Sequence, residues 1–321
     1  MIMKQIRIIS FTLIALISLA ISCAGGGLKE ADNFYDSGDY LNAEKAYRLV
    51  LEANPENAQA HYRLGLTLQA KKMHKDALEE FEATVKFKPN HKNAIRSLQN
   101  IYNKQSEIDL ANGDLLGAVT LLQKSYNLDK KDSQTALGLS NAYVKYGLLD
   151  KASETYDKAG INGAEKSDVN GGRNKIISQR ELAGINYTKG KRAYDKNDYV
   201  TANKFLDIAI ANNRDDDDIR YFSYMSNGLF LYKKGSKWQI WDAIVAFGNA
   251  AEIRTTSAEA NYYLALGYLK KDDKDFDNIL SFYEKALDLD TDRKFAPEIK
   301  KGLKKHRKRK QVLDEFWGKN K

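Results

Sequence analysis

Small and bulky residues recur along this chain at a fixed distance. Ala43 and Tyr47 are followed 34 residues later by Ala77 and Phe81, Pro55 by Pro89, and Val50-Leu51 by Thr84-Val85. Apolar residues between these markers fall three and four apart, the spacing of one helix face, so the pattern predicts amphipathic helices in pairs. A unit this short cannot bury its apolar face alone and must stack on its neighbours. Only three prolines occur, all near expected element ends. That suits an all-α chain, because proline inside a helix removes a hydrogen bond and clashes with the preceding turn.

A 34-residue period with these markers resembles the tetratricopeptide repeat, a helix–turn–helix unit. The resemblance implies a right-handed solenoid of helical hairpins whose concave face binds other proteins. Seven units can be followed. The first spans 28–57, with Gly38-Asp39-Tyr40 at its turn; the second spans 58–91, with Leu64-Gly65, Ala77, Phe81 and Pro89. In the third (92–132) the marker Ala118 comes 41 residues after Ala77. The excess of about seven residues is two helical turns, which predicts a lengthened hairpin. The fourth (133–159) carries Gly147, Ala152 and Tyr156. Residues 160–174 hold four glycines and no apolar stripe, so they are expected to form a hinge between units 28–159 and 175–293. The fifth unit (176–213) has Ala202 with both Phe205 and Leu206 near the bulky place, which leaves its phase open. The sixth (215–253) has Gly228, Ala243 and Phe247, again with a lag of 41, and the stretch Gly235–Trp241 is expected to loop out. The seventh (260–293) has Gly267, Ile279, Tyr283 and Ala286. A capping helix is expected within 294–321, burying Ile299, Leu303, Val312, Leu313 and Phe316.

The first residues do not follow this pattern. Lys4 and Arg7 precede an apolar run from Ile8 to Ile21, which is the length of a signal-peptide core and short for a membrane span. The run ends at Ser22-Cys23, followed by Ala24 and Gly25–Gly27. This resembles a bacterial lipoprotein signal with its lipobox, although Ala20 stands where leucine is commoner. The resemblance implies a cleaved signal (1–22), lipidation of Cys23 and a glycine spacer (23–27). With alanine after the lipid site it also implies the periplasmic side of the outer membrane. Cys23 is the only cysteine, so no disulfide supports the fold.

The net charge of +8 lies at the other end. Residues 300–321 hold ten Lys and Arg against Asp314 and Glu315, so the rest of the chain is balanced. Lys304, Lys305, Arg307, Lys308, Arg309 and Lys310 form its core. Such a run fits a solvated end helix, or contact with anionic headgroups or an acidic partner. No aromatic residues interleave the charges as a nucleic-acid reader would require.

No motif for catalysis, cofactor or metal appears. His61, His74, His91 and His306 lack metal-pair spacing. Asp273, Asp275, Asp277 and Glu284 have the spacing of a calcium loop, but Asn278 takes the place of the glycine that permits its sharp turn. Asp215–Asp218 suits an acidic helix start better than a cation site. Some tetratricopeptide domains grip a peptide carboxylate with residues from three successive first helices. Arg96 and Asn100 match the first pair, but Gly138 and Thr188 break the set. By family position the partner groove would include Tyr62, Leu66 and Gln69, then Arg96, Asn100 and Asn103, then Leu137, Asn141 and Val144. The sequence therefore points to a membrane-anchored adaptor without enzymatic activity, serving one or more envelope proteins. A self-assembling structural component and a protein that docks a cell-wall enzyme remain open alternatives.

Overall fold

The computed structural model describes residues 27–318; the expected signal peptide, Cys23 and the last three residues lie outside them. The described residues are all-α, with no strand among them. They divide into two compact units, one ending at Leu139 and the other beginning at Ser140.

The first unit contains α1 (27–36), α2 (Tyr40–Ala53), α3 (Ala58–Ala70), α4 (His74–Phe87), α5 (Lys92–Asn112) and α6 (Leu115–Leu128). The boundary falls inside α7 (Ser133–Tyr146). The second unit continues with α8 (Leu149–Ile161), α9 (Lys166–Asp195), α10 (Tyr199–Asn212), α11 (Asp217–Lys234), α12 (Lys237–Ile253), α13 (Ala258–Lys271), α14 (Phe276–Leu289) and α15 (Ala296–Phe316). Within each unit, successive helices pack as hairpins that stack into a solenoid.

One turn design closes five of the hairpins. Gly38, Gly113 and Gly147 adopt positive φ at the end of a first helix, and Lys72 and Asn197 do the same without being glycine. Left-handed backbone is strained for a residue with a Cβ, so the latter two must be held there by their surroundings. In all five turns the next amide reaches back to a carbonyl five residues earlier: Asp39 to Phe34, Met73 to Leu68, Asp114 to Asp109, Leu148 to Tyr143 and Asp198 to Ala193, at 2.8–3.0 Å. This bond closes the first helix. Where the residue after the turn is aspartate, its carboxylate caps the second helix, as Asp39 does by accepting from Asn42 N.

The repeating pair then fills the core. Ala43 and Tyr47, Ala77 and Phe81, Ala118 and Leu122, Ala152 and Tyr156, Ala202 and Leu206, Ala243 and Phe247, and Ile279 and Tyr283 are all buried. Leu206, not Phe205, thus sets the phase of the fifth unit. Burial of one such bulky side chain contributes about 1.5–3 kcal/mol. First helices approach second helices closely where glycine meets the bulky residue. A Cβ on Gly65 would lie 2.7 Å from Phe81, and one on Gly228 would lie 2.5 Å from Phe247.

Three expectations need correction. Residues 160–174 do not form a hinge: only 162–165 are non-helical, and α9 runs unbroken for 30 residues through Gly171, Gly172, Gly184 and Gly190. Its buried stripe includes Val169, Gly172, Ile176, Ala183, Gly190 and Ala193. Two of those positions are glycine, which supplies close approach and no hydrophobic signal. The stretch Gly235–Trp241 does not loop out either, because α12 starts at Lys237 behind a Ser236–Gln239 capping box. Its marker Ala243 is the seventh helical residue, whereas Ala43, Ala77, Ala118, Ala152 and Ala202 are each the fourth. α12 therefore carries one extra N-terminal turn. In α15, Ile299 and Leu303 are buried as expected, but Val312 and Phe316 are exposed and Leu313 is only half-buried, while His306 joins the buried face instead. The lengthened third hairpin is real and its excess sits entirely in α5, 21 residues long.

Candidate partner-binding surface

The groove positions follow from the helix faces left outside the core. On α3, Tyr62 is half-buried, its ring 5.9 Å from Phe81 and 4.7 Å from His91; Leu66 packs beside the core and Gln69 is exposed. On α5, Arg96 and Asn100 are exposed, and Asn103 is half-buried with a buried Oδ1 that has no partner among the described residues. On α7, Leu137 and Val144 are buried, so these two candidates cannot offer a face to a partner. Asn141 stays exposed and accepts from the Tyr156 hydroxyl at 2.7 Å. The contact of Tyr62 with His91, at the start of α5, joins successive hairpins.

Three of the four histidines act within the fold, and His74 is exposed at the start of α4. The His61 ring lies 2.6 Å from Glu80 and 2.9 Å from the Pro55 carbonyl, and stacks on Phe87. His91 caps α5 by accepting from Ala94 N, and burial holds its pKa below the ordinary value. His306 is buried beside Phe276.

The acidic clusters are occupied by the chain itself. Arg309 donates to Asp273 at 2.7 Å, Lys310 to Asp277 at 2.6 Å and Arg307 to Glu284 at 2.8 Å, while Asp275 caps α14. The calcium-like spacing and half of the basic tail are thus two sides of one seam between α14 and α15. Lys304, Lys305 and Lys308 remain exposed. Asp216 caps α11, Asp217 pairs with Arg220, Asp218 with Arg254, and Asp215 accepts from Asp150 N. Among the described residues, no group of His, Cys, Asp and Glu could hold a metal ion.

Two features escape the periodicity. In the second unit Tyr194 packs against Tyr199 and Phe222, with its hydroxyl donating to Glu259 at 2.9 Å, and Arg254 lies 4.0 Å over Tyr221. Burial, reinforced by Glu259, pushes the Tyr194 pKa far above the ordinary tyrosine value. At the start of α12, Trp238 and Trp241 are exposed, with the Lys271 ammonium 4.2 Å from the Trp241 ring. Their signal in sequence was tryptophan beside lysine, which the loop reading of Gly235–Trp241 hid.

Tetratricopeptide-repeat family models match residues 28–92 and 260–293, one in each unit. The chain carries tetratricopeptide repeats. A tetratricopeptide repeat-containing protein of Methanocaldococcus jannaschii, MJ1428, is 25% identical over 275 residues, covering 85% of this chain and 44% of that protein. Human DnaJ homolog subfamily C member 3 is 24% identical over 260 residues, covering 81% of this chain and 48% of that protein. The chain thus spans less than half the length of either relative. Among solved structures, the TPR2AB domain of yeast Sti1 in complex with pHSP90 is 16% identical, with TM-score 0.33, over 89% of this chain and 98% of that one. A tetratricopeptide repeat protein of Parabacteroides merdae is 13% identical, with TM-score 0.32, over 88% and 98%. Tetratricopeptide repeats generally mediate protein–protein interaction and typically serve as non-enzymatic scaffolds.

Proposed function

We propose that this tetratricopeptide protein is an adaptor of a bacterial envelope assembly, tethered through a lipid on Cys23 to the periplasmic side of the outer membrane. The observation that carries the reading is the order of features along the chain: a lipobox-like segment ending at Cys23, then Ala24, Gly25 and Gly26, and a helix that begins the solenoid at Gly27. A chain so arranged holds its repeats at a membrane surface, where the exposed faces of α3 and α5 can meet a partner. Tyr62, Gln69, Arg96 and Asn100 combine aromatic, amide and cationic groups, which suits an extended or helical peptide. Several acyl chains on one cysteine would hold the protein firmly, whereas one chain gives only marginal binding.

The reading is tested by crosslinking the protein in its own cells and identifying its companions by mass spectrometry, alongside fractionation of Cys23→Ala. One abundant envelope partner, together with release of Cys23→Ala from membranes, supports it. Self-crosslinks alone would move the function to a structural array. Unchanged fractionation with no acyl mass on Cys23 would remove the tether.

A further inference from the structure

The chain has three tryptophans. All three are exposed, and all three come to one edge of the second unit. Trp238 is 82% exposed and Trp241 44%, both at the start of α12, in or just after the extra turn that separates it from the other second helices. Lys271, at the end of α13, reaches over Trp241, and Lys270 donates to the Tyr232 carbonyl near the end of α11 at 2.8 Å. The α11–α12 turn and the end of α13 therefore share this edge. α15 arrives at it from the far side. Arg307 meets Glu284, while Lys310 meets Asp277 and Arg309 meets Asp273, so α15 runs antiparallel to α14 and reaches the α13–α14 turn at Lys310. From Lys310 the chain continues for seven residues, about 10 Å, past the start of α14 at Phe276. That overshoot carries Val312, Phe316 and Trp317, the last 70% exposed.

We infer that this edge is a peripheral membrane-binding surface that seats its tryptophans among anionic phospholipid headgroups. The cations beside the rings decide between a lipid and a protein partner. They are lysines: Lys233, Lys234, Lys237, Lys270 and Lys271. Protein interfaces are enriched in tryptophan and arginine but depleted in lysine. Tryptophan with lysine is the composition of the membrane–water boundary, where the indole sits at headgroup depth and the ammonium meets phosphate. Four of these lysines already lie over aromatic faces, Lys233 over Tyr199 at 4.4 Å, Lys234 over Phe230 at 4.3 Å, Lys270 over Tyr232 at 4.5 Å and Lys271 over Trp241. Their ammonium groups are thus positioned beside the apolar surface. Of the acids at the same edge, Asp273 and Asp277 are paired with the tail, while Asp242, Asp272, Asp275, Asp314 and Glu315 oppose binding; the lysine–headgroup attraction that outweighs them is the part that salt screens. No described helix is long and apolar enough to cross a membrane, so the contact is with the surface. The inference does not depend on lipidation of Cys23.

The three tryptophans make the test local, because all indole emission of the chain comes from this edge. The full chain is mixed with vesicles of phosphatidylglycerol and phosphatidylethanolamine, or of phosphatidylcholine alone, with and without brominated acyl chains. The expected result is a blue shift and bromolipid quenching with the anionic vesicles, reversed by salt. A Lys234→Gln, Lys237→Gln, Lys271→Gln variant of unchanged helicity should lose on the order of a hundredfold in vesicle partitioning. Co-sedimentation with vesicles and no change in emission would overturn the inference while leaving the Cys23 tether intact. Emission that responds to a soluble envelope extract but not to vesicles would overturn it in favour of a protein partner.

Discussion

Gly172 of α9 stands directly against the ring of Tyr156 of α8: a Cβ at this position would lie 2.1 Å from Tyr156 Cζ. Its neighbour Gly171 has nothing within 4 Å of the same construction. The two glycines look alike in sequence and are opposite in role. Gly172→Ala overpacks the α8–α9 interface and is expected to destabilise by about 1–3 kcal/mol. Gly171→Ala removes an exposed helical glycine and is expected to stabilise by about 0.5–1 kcal/mol. Thermal and urea melts of the two variants check the pair. Equal effects would mean that 160–174 behaves as the loop its composition suggests.

Arg214 ties the connection between α10 and α11 to the α7–α8 turn. Its amide donates to the Gly147 carbonyl at 2.7 Å, its Nε donates to the Tyr146 carbonyl at 2.7 Å, and its guanidinium lies 4.5 Å over the Tyr146 ring. Arg214→Ala should cost about 1.5–3 kcal/mol, the range for a hydrogen bond from a charged donor. Arg214→Lys should recover little, since an ammonium lacks the planar group that both donates and stacks. Amide exchange near residues 146–150 and 211–216 should quicken in both variants. Protection unchanged there would show that the backbone bond suffices alone.

His306 makes the capping helix sensitive to acid. Burial lowers its pKa, Arg309 and Lys305 lower it further, and Asp273 opposes them. The folded ring therefore stays neutral where the unfolded chain takes up a proton. Stability from this site is complete above pH about 6.5 and is lost as pH falls below it. Melts of the parent chain should weaken from pH 7.5 to 5.5, and His306→Leu should flatten that part of the profile. A parallel decline in both would place the acid sensitivity elsewhere.

The buried tyrosines set the alkaline limit. Burial pushes Tyr156, Tyr221 and Tyr283 up to about 12, and Tyr194 higher still. An unfolded tyrosine ionises near pH 10. The stability these rings carry is therefore intact below pH 10 and disappears as pH rises toward 12. Phenolate absorbance should rise in two steps, the later one together with loss of helical ellipticity. A single step near pH 10 with helicity intact would show the rings to be open to water.

Much of this architecture was legible because the signal repeats. The alanine and bulky markers at Ala43/Tyr47 and Ala77/Phe81 identify the same buried pair in every hairpin, and the turn glycines mark where first helices end. The failures share a cause. Gly172 and Gly190 are core positions of α9 without hydrophobicity, so a helix read as a hinge. Leu137 and Val144 occupy groove positions by family register yet lie buried on α7. The basic run was visible, but the carboxylates it meets on α14 and the preceding turn are more than twenty residues distant, a pairing no local pattern announces. The tryptophan edge was hidden because its members come from separate helices.

The departures from the 34-residue period have a consequence for how such a chain can change. α5 is seven residues longer than the 14-residue α4 before it, and α12 gains one turn ahead of its marker alanine, while both continue to bury their stripes. Length is thus inherited in quanta: only insertions close to a whole number of turns return the next side chain to the face it left. A lineage can lengthen one rod and push a patch outward, as with Trp238, without touching the joints. Any insertion of two residues in the same place would rotate everything after it out of the core.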